Sequence, residues 1–173
     1  YKKKYKKIYK SLTLAIYNNN IYVADNIGFI YVVNLDTGKL VWIKNHGISI
    51  KSTIKIYDNK IVLVDQDNRI FAVNTMDGKK IWELLTISSF IKSQNLLSLA
   101  VSKKGDLIAV NSSADLFNIK ADDGNVYWAT NTSRSLYSGA ADFFKPSEIV
   151  LDGDEIIFSG SSSIFSYDLN SGF

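Results

Sequence analysis

NRIFAVNTMDGKKIWELL, residues 68–85, is the stretch that decides the fold: an apolar run, a turn through Asp77 and Gly78, and a second run carrying Trp82. A glycine followed four residues later by a tryptophan recurs in DTGKLVW (Asp36 to Trp42) and DDGNVYW (Asp122 to Trp128), and all three tryptophans of the chain fall in these copies. A fourth copy starts as Asn170, Ser171, Gly172 and Phe173. The glycines at 38, 78, 124 and 172 are 40, 46 and 48 residues apart, at or just above the period of a four-stranded propeller blade.

Each unit repeats one internal order. In the second, KSTIKIY, KIVLVDQ, NRIFAVNT and KKIWELL are four short runs of β-branched and aromatic residues, the composition of strands. Asp58 and Asn59, Asp67 and Asn68, and Asp77 and Gly78 separate them, residue pairs suited to tight turns. Ile61 to Val64, Leu107 to Val110 and Ile156 to Phe158 are apolar on successive positions, so these strands are expected to be covered on both faces. Trp42, Trp82 and Trp128 then belong on outermost strands, filling the seams between blades, and Gly38, Gly78, Gly124 and Gly172 mark the last turn of each unit.

The strings DTGKLVW and DGKKIW, each preceded by a YVVNL or FAVNT strand, resemble the tryptophan-docking repeat of the quinoprotein-type β-propellers. The repeat threonine is kept at Thr37, replaced by Asp77 and Asp123, and is Ser171 in the last copy. Within that group the chain is most similar, over residues 12 to 173, to the periplasmic propeller lipoproteins of the outer-membrane β-barrel assembly machine. The resemblance implies a noncatalytic scaffold without cofactor, in the periplasm and tethered to the outer membrane by an upstream lipid. Its implied partners are the barrel-forming subunit of that machine and unfolded outer-membrane proteins bound by β-augmentation. The alternatives are a piece of a quinone-dependent dehydrogenase and a ligand-sensing or adhesion propeller. Dehydrogenases of this group carry adjacent cysteines against the cofactor, and this chain has no cysteine.

The expected fold is all-β, about three and a half blades of a ring of seven or eight, since such a ring needs roughly 300–350 residues. The expected organisation is a basic linker or end of a preceding blade over 1–11, a blade over 12–48, blades with long connections over 49–95 and 96–143, and an incomplete blade over 144–173, all in one propeller domain. The chain is accordingly expected to be part of a longer product. With 46% hydrophobic residues, 13% aromatic and a single proline, the composition is that of a packed domain. The net charge of +3 is a terminal effect: YKKKYKKIYK holds six lysines, and the remainder carries 14 basic against 17 acidic side chains. Lys2 to Lys10 are read as a solvated tract with at most weak membrane contact; a nucleic-acid role is disfavoured because nothing behind the tract is basic.

Catalytic chemistry has few candidates. The single histidine, His46, follows the first outer strand and is read as a surface loop residue. Asp65, Asp67 and Asn68 lack the glycine and distal glutamate of a calcium loop and are read, with Asp152, Gly153, Asp154 and Glu155, as turns. No catalytic, cofactor or metal residue is assigned. The two long connections, residues 87–98 and 131–147, account for the lengthened repeat intervals. They place Phe90, Ile91, Arg134, Tyr137, Phe143 and Phe144 outside the regular strands, residue types enriched at protein interfaces; these six are the expected partner contacts, the alternative being that the phenylalanines fold back under their own loops to cap blade seams.

Overall fold

In the computed structural model, which describes residues 10–86, 96–132, 146–160 and 163–173, every regular element is a strand. The first sheet is β1 (Leu12–Tyr17), β2 (Asn20–Asp25), β3 (Phe29–Asn34) and β4 (Leu40–Asn45); the second is β5 (Lys55–Tyr57), β6 (Lys60–Val64), β7 (Arg69–Asn74) and β8 (Lys80–Leu85). The third is β9 (Leu99–Val101), β10 (Asp106–Val110), β11 (Asp115–Lys120) and β12 (Val126–Asn131); the fourth has β13 (Val150–Asp152), β14 (Glu155–Ser159) and β15 (Ile164–Asp168). Each sheet is an antiparallel meander in chain order. The first hairpins of the first two sheets turn through Asn18 (φ 43°) and Asn19 (φ 60°), and Asp58 (φ 40°) and Asn59 (φ 59°). Positive φ at both central residues matches the twist of the flanking strands.

The sheets meet at their first strands, β1 beside β5 and β5 beside β9, and fan outward to the fourth, the arrangement of propeller blades. Alternation along the strands fills the seams. Ile61, Leu63, Phe71 and Val73 face the first sheet with Tyr22, Ile30 and Val32, while Val62, Val64, Ile70 and Ala72 face the third with Leu99, Leu107 and Ile119. Ile108, Val110 and Leu116 then pack on Ile156 and Phe158 of the fourth. The second and third sheets are thus covered on both faces. The stack is unclosed: Leu12, Leu14 and Ile16 of the first sheet, and Val150 and Ile164 of the fourth, are exposed.

One run is shorter than its composition suggests. KSTIKIY does not form a single strand, because Ser52 Oγ accepts the Val64 N–H (2.8 Å) and Ser52 bridges in parallel to Leu97 of the next blade. The side chain replaces a ladder bond, and the backbone before β5 is redirected across the inner end of the seam.

Candidate interaction surface

At one end of the sheets lie the last hairpin turns, and there each fourth strand reaches forward. Trp42 Nε1 donates to the Thr75 carbonyl, Trp82 Nε1 to Ala121 and Trp128 Nε1 to Leu169, each at 2.9 Å. Each acceptor stands three residues before a repeat glycine. A Cβ on Gly78, Gly124 or Gly172 would come within 2.9, 2.7 and 2.7 Å of the Trp42, Trp82 and Trp128 rings respectively. The indole therefore lies flat on the glycine of the next blade and is anchored by its N–H. In the first sheet the same place is open among the described residues: no atom lies within 4 Å of a Cβ on Gly38, and Leu35, at the acceptor position, is 45% exposed where Ala121 is 0%.

At the opposite end, the turn between the second and third strands is built on a side-chain acceptor thirteen residues before the repeat glycine: Asp25, Asp65 and Asn111. Asp25 Oδ1 accepts the backbone N–H groups of Ile27, Gly28 and Phe29 (3.0, 2.9 and 2.9 Å), and Oδ2 accepts Tyr31 Oη (3.0 Å) and Lys10 Nζ (3.2 Å). Lys10, the last lysine of the basic tract, is thereby tied to the first sheet; Lys2 to Lys7 lie outside the described residues. Asn111 Oδ1 accepts from the Ser113 and Asp115 amides (2.9 and 3.0 Å). This recurring acceptor is absent from the sequence reading above, although its fixed distance from the glycine was there to be found.

Asp65 carries the densest set. Oδ1 accepts the Asp67 and Arg69 amides (2.8 and 3.1 Å), and Oδ2 lies 2.9 Å from both Arg69 Nε and His46 Nε2. Arg69 in turn reaches Asp67 (3.5 Å) and Glu83 (3.6 Å). His46 is not a loose surface residue, as its place after β4 suggests: its side chain is 16% exposed and its ring stacks on Phe71 at 4.1 Å and 7°. It closes the outer seam between the first two sheets.

Burial by itself would raise the Asp65 pKa, but the bond from His46, the two amides and the Arg69 charge outweigh it and hold the carboxyl below its ordinary value. With a folded-state pKa below the unfolded one, the stabilisation is complete above about pH 4 and is lost as the pH falls through the lower folded value. Asp65→Asn keeps the turn, as Asn111 does, but removes the charge. It is expected to cost about 1–3 kcal/mol at pH 7, a deficit that shrinks below about pH 4 in denaturation curves of both proteins. A deficit that stays constant to pH 3 would exclude this role for the carboxylate.

Asp67 and Asn68 complete the Asp65 turn, Asn68 with φ 61°, and Asp152 pairs with Glu155 across the Gly153 turn. Among the described residues no three His, Cys, Asp or Glu side chains are grouped to hold a metal ion, and no helix is long and apolar enough to cross a membrane. Phe90, Ile91, Arg134, Tyr137, Phe143 and Phe144 all lie outside the described residues. The strands that lead to them end together, however. Thr86, after β8, donates to the Asn68 carbonyl (2.7 Å), and Thr132, after β12, donates to that of Ala114 (3.0 Å), so both long connections leave from the end that holds the aspartate turns.

The model of the family described as outer membrane protein assembly factor BamB matches residues 7–172. The chain belongs to the BamB family. The crystal structure of BamB from Moraxella catarrhalis has a TM-score of 0.78 at 12% identity, covering 90% of this chain and 48% of that one; the chain thus spans about half the length of that BamB. The computationally designed Ika4 protein has a TM-score of 0.70 at 15% identity, covering 92% of this chain and 91% of that one. Quinohemoprotein alcohol dehydrogenase ADHIIG from Pseudomonas putida HK5 has a TM-score of 0.69 at 13% identity, covering 92% of this chain and 33% of that one. At these identities the likenesses are of fold alone. No significant match is found among curated protein sequences.

Proposed function

We propose that this BamB-family chain is part of a noncatalytic periplasmic scaffold of the outer-membrane β-barrel assembly machinery. The observation that carries the reading is the match to the assembly-factor family along nearly the whole chain. Its mechanism is positioning: seams locked by three indole anchors fix the strand ends from which the connections leave, which is how a rigid ring serves as a contact surface. The partners are the barrel-forming subunit of the machine and, transiently, unfolded outer-membrane chains that add a strand to an exposed sheet edge. Contacts are assigned to Phe90, Ile91, Arg134, Tyr137, Phe143 and Phe144, on the two connections that leave from one end of the sheets. The propeller fold shared with quinohemoprotein dehydrogenases is architecture, and architecture does not carry an activity with it.

The test is copurification. Tagged full-length protein, extracted from outer membranes in mild detergent, is expected to bring down the barrel-forming subunit. Alanine at Phe90, Arg134 and Phe144 together is expected to reduce that recovery by about tenfold or more, as loss of aromatic and arginine anchors does. Absence of the subunit from the wild-type eluate, with a quinone-dependent activity in its place, would overturn the reading.

A further inference from the structure

We infer that the outer seam between the second and third sheets is a pocket for a histidine side chain presented by a protein partner. The argument comes from comparing two seams built by one repeat. Counted from the repeat glycine, His46 corresponds to Thr86, Arg69 to Asp115, Phe71 to Phe117 and Glu83 to Ala129. In the first seam the space over Phe71 is filled by the stacked imidazole and flanked by the Arg69–Glu83 pair. In the second, the aromatic floor is kept while all three neighbours are shorter.

The result is an open depression of about 380 Å³ over Phe117, lined by Leu85, Thr86, Ala129 and Asn131 with Asp115 among them. Thr86 does not close it, because its hydroxyl is engaged with the Asn68 carbonyl and the Asn111 amide. Phe117 has no ring partner among the described residues, and Leu85 is 72% exposed.

Charge selects the occupant. In the first seam the carboxylate is Asp65, met by His46 and Arg69; its counterpart in the second is the neutral Asn111, and the carboxylate there is Asp115, at the position of Arg69. Asp115 accepts only from neutral amides, Asn111 Nδ2 at 3.0 Å and Asn131 Nδ2 at 2.6 Å, and no cation pairs with it among the described residues. A flat apolar floor beside a carboxylate that no cation among the described residues meets fits a ring that stacks with one face and donates an N–H from its edge. The protein itself puts such a ring, an imidazole, on the corresponding phenylalanine one seam earlier. An aliphatic side chain would satisfy the floor and leave the carboxylate unmet.

The experiment titrates full-length protein with N-acetyl-histidine methylamide at pH 6, following the backbone amide signals of Ala129 and Thr130 by NMR, with N-acetyl-leucine methylamide as the control. Saturable shifts with the histidine probe and at least about fivefold weaker ones with leucine are expected, the margin of a charge-assisted hydrogen bond. Thr86→His supplies the ring from within and is expected to abolish probe binding, whereas His46→Thr is expected to open a second site that shifts the Phe71 and Glu83 amides. Should Thr86→His lose its cooperative melt, Asp115→Asn keeps the shape of the pocket and is expected to weaken the histidine probe about fivefold. No saturable shift in the wild type, equal binding of leucine, or unchanged affinity in Asp115→Asn overturns the assignment. The scaffold reading is tested by copurification without this probe, so the two can fail separately.

Discussion

Trp82→Ala is expected to destabilise the protein by about 3–5 kcal/mol, the cost of emptying a large aromatic site in a packed core. Of the three anchoring tryptophans it is the one that is buried, 8% exposed, against Val62, Ala72, Ile119 and Ala121 between the second and third sheets. Its loss also strands the Ala121 carbonyl, which is buried and takes the indole N–H; an unsatisfied buried acceptor accounts for about 1–3 kcal/mol of that loss. Trp82→Phe keeps much of the volume and loses the donor, so it should fall well below the alanine cost. Urea unfolding followed by circular dichroism measures both, and a midpoint shift at unchanged slope attributes the loss to the native state. An alanine cost under about 1 kcal/mol would mean that the seam does not hold the sheets together.

Gly124→Ala is expected to cost about 3 kcal/mol, from two sources that can be separated. The backbone at Gly124 has φ 78°, where a side chain costs about 1–2 kcal/mol. The added Cβ would also stand 2.7 Å from Trp82 Cε3, and a ring held by its own hydrogen bond within a packed seam cannot retreat without strain, typically 1–3 kcal/mol. Gly153 is the internal control: its φ is 59° and its Cβ would meet no described atom within 4 Å, so Gly153→Ala should show the backbone cost alone. Equal losses at the two glycines would remove the docking explanation.

The blades were legible because what makes them is local. A turn that needs positive φ at glycine, and an indole four residues further on, leave a pattern that can be counted without coordinates. The all-β class, the four-stranded meanders and the unclosed stack follow from that pattern, and the coverage of Ile61 to Val64 on both faces follows from their unbroken apolarity. What escaped depends on side chains far apart in the chain. His46 meets Phe71 and Asp65 across a seam, and a lone histidine after a strand reads as solvent-facing until the neighbouring sheet is in place. Ser52, which substitutes a hydroxyl for a ladder bond to Val64, looks like any polar residue in a strand-like run. The long connections announced themselves by length alone, since the six residues singled out there have no counterpart in the repeat.

The forward reach of each tryptophan also fixes an order in time. The rings of Trp42, Trp82 and Trp128 are made 33, 39 and 41 residues before the carbonyls that receive them. A chain that emerges N-terminus first, from the ribosome or across a membrane, presents each indole before its dock exists. During that interval the newest finished sheet is the least secured one, and it is locked only by the final hairpin of its successor. A lesion at a repeat glycine therefore falls on the sheet made before it: an altered Gly124 leaves the second blade, already complete, without its fastening.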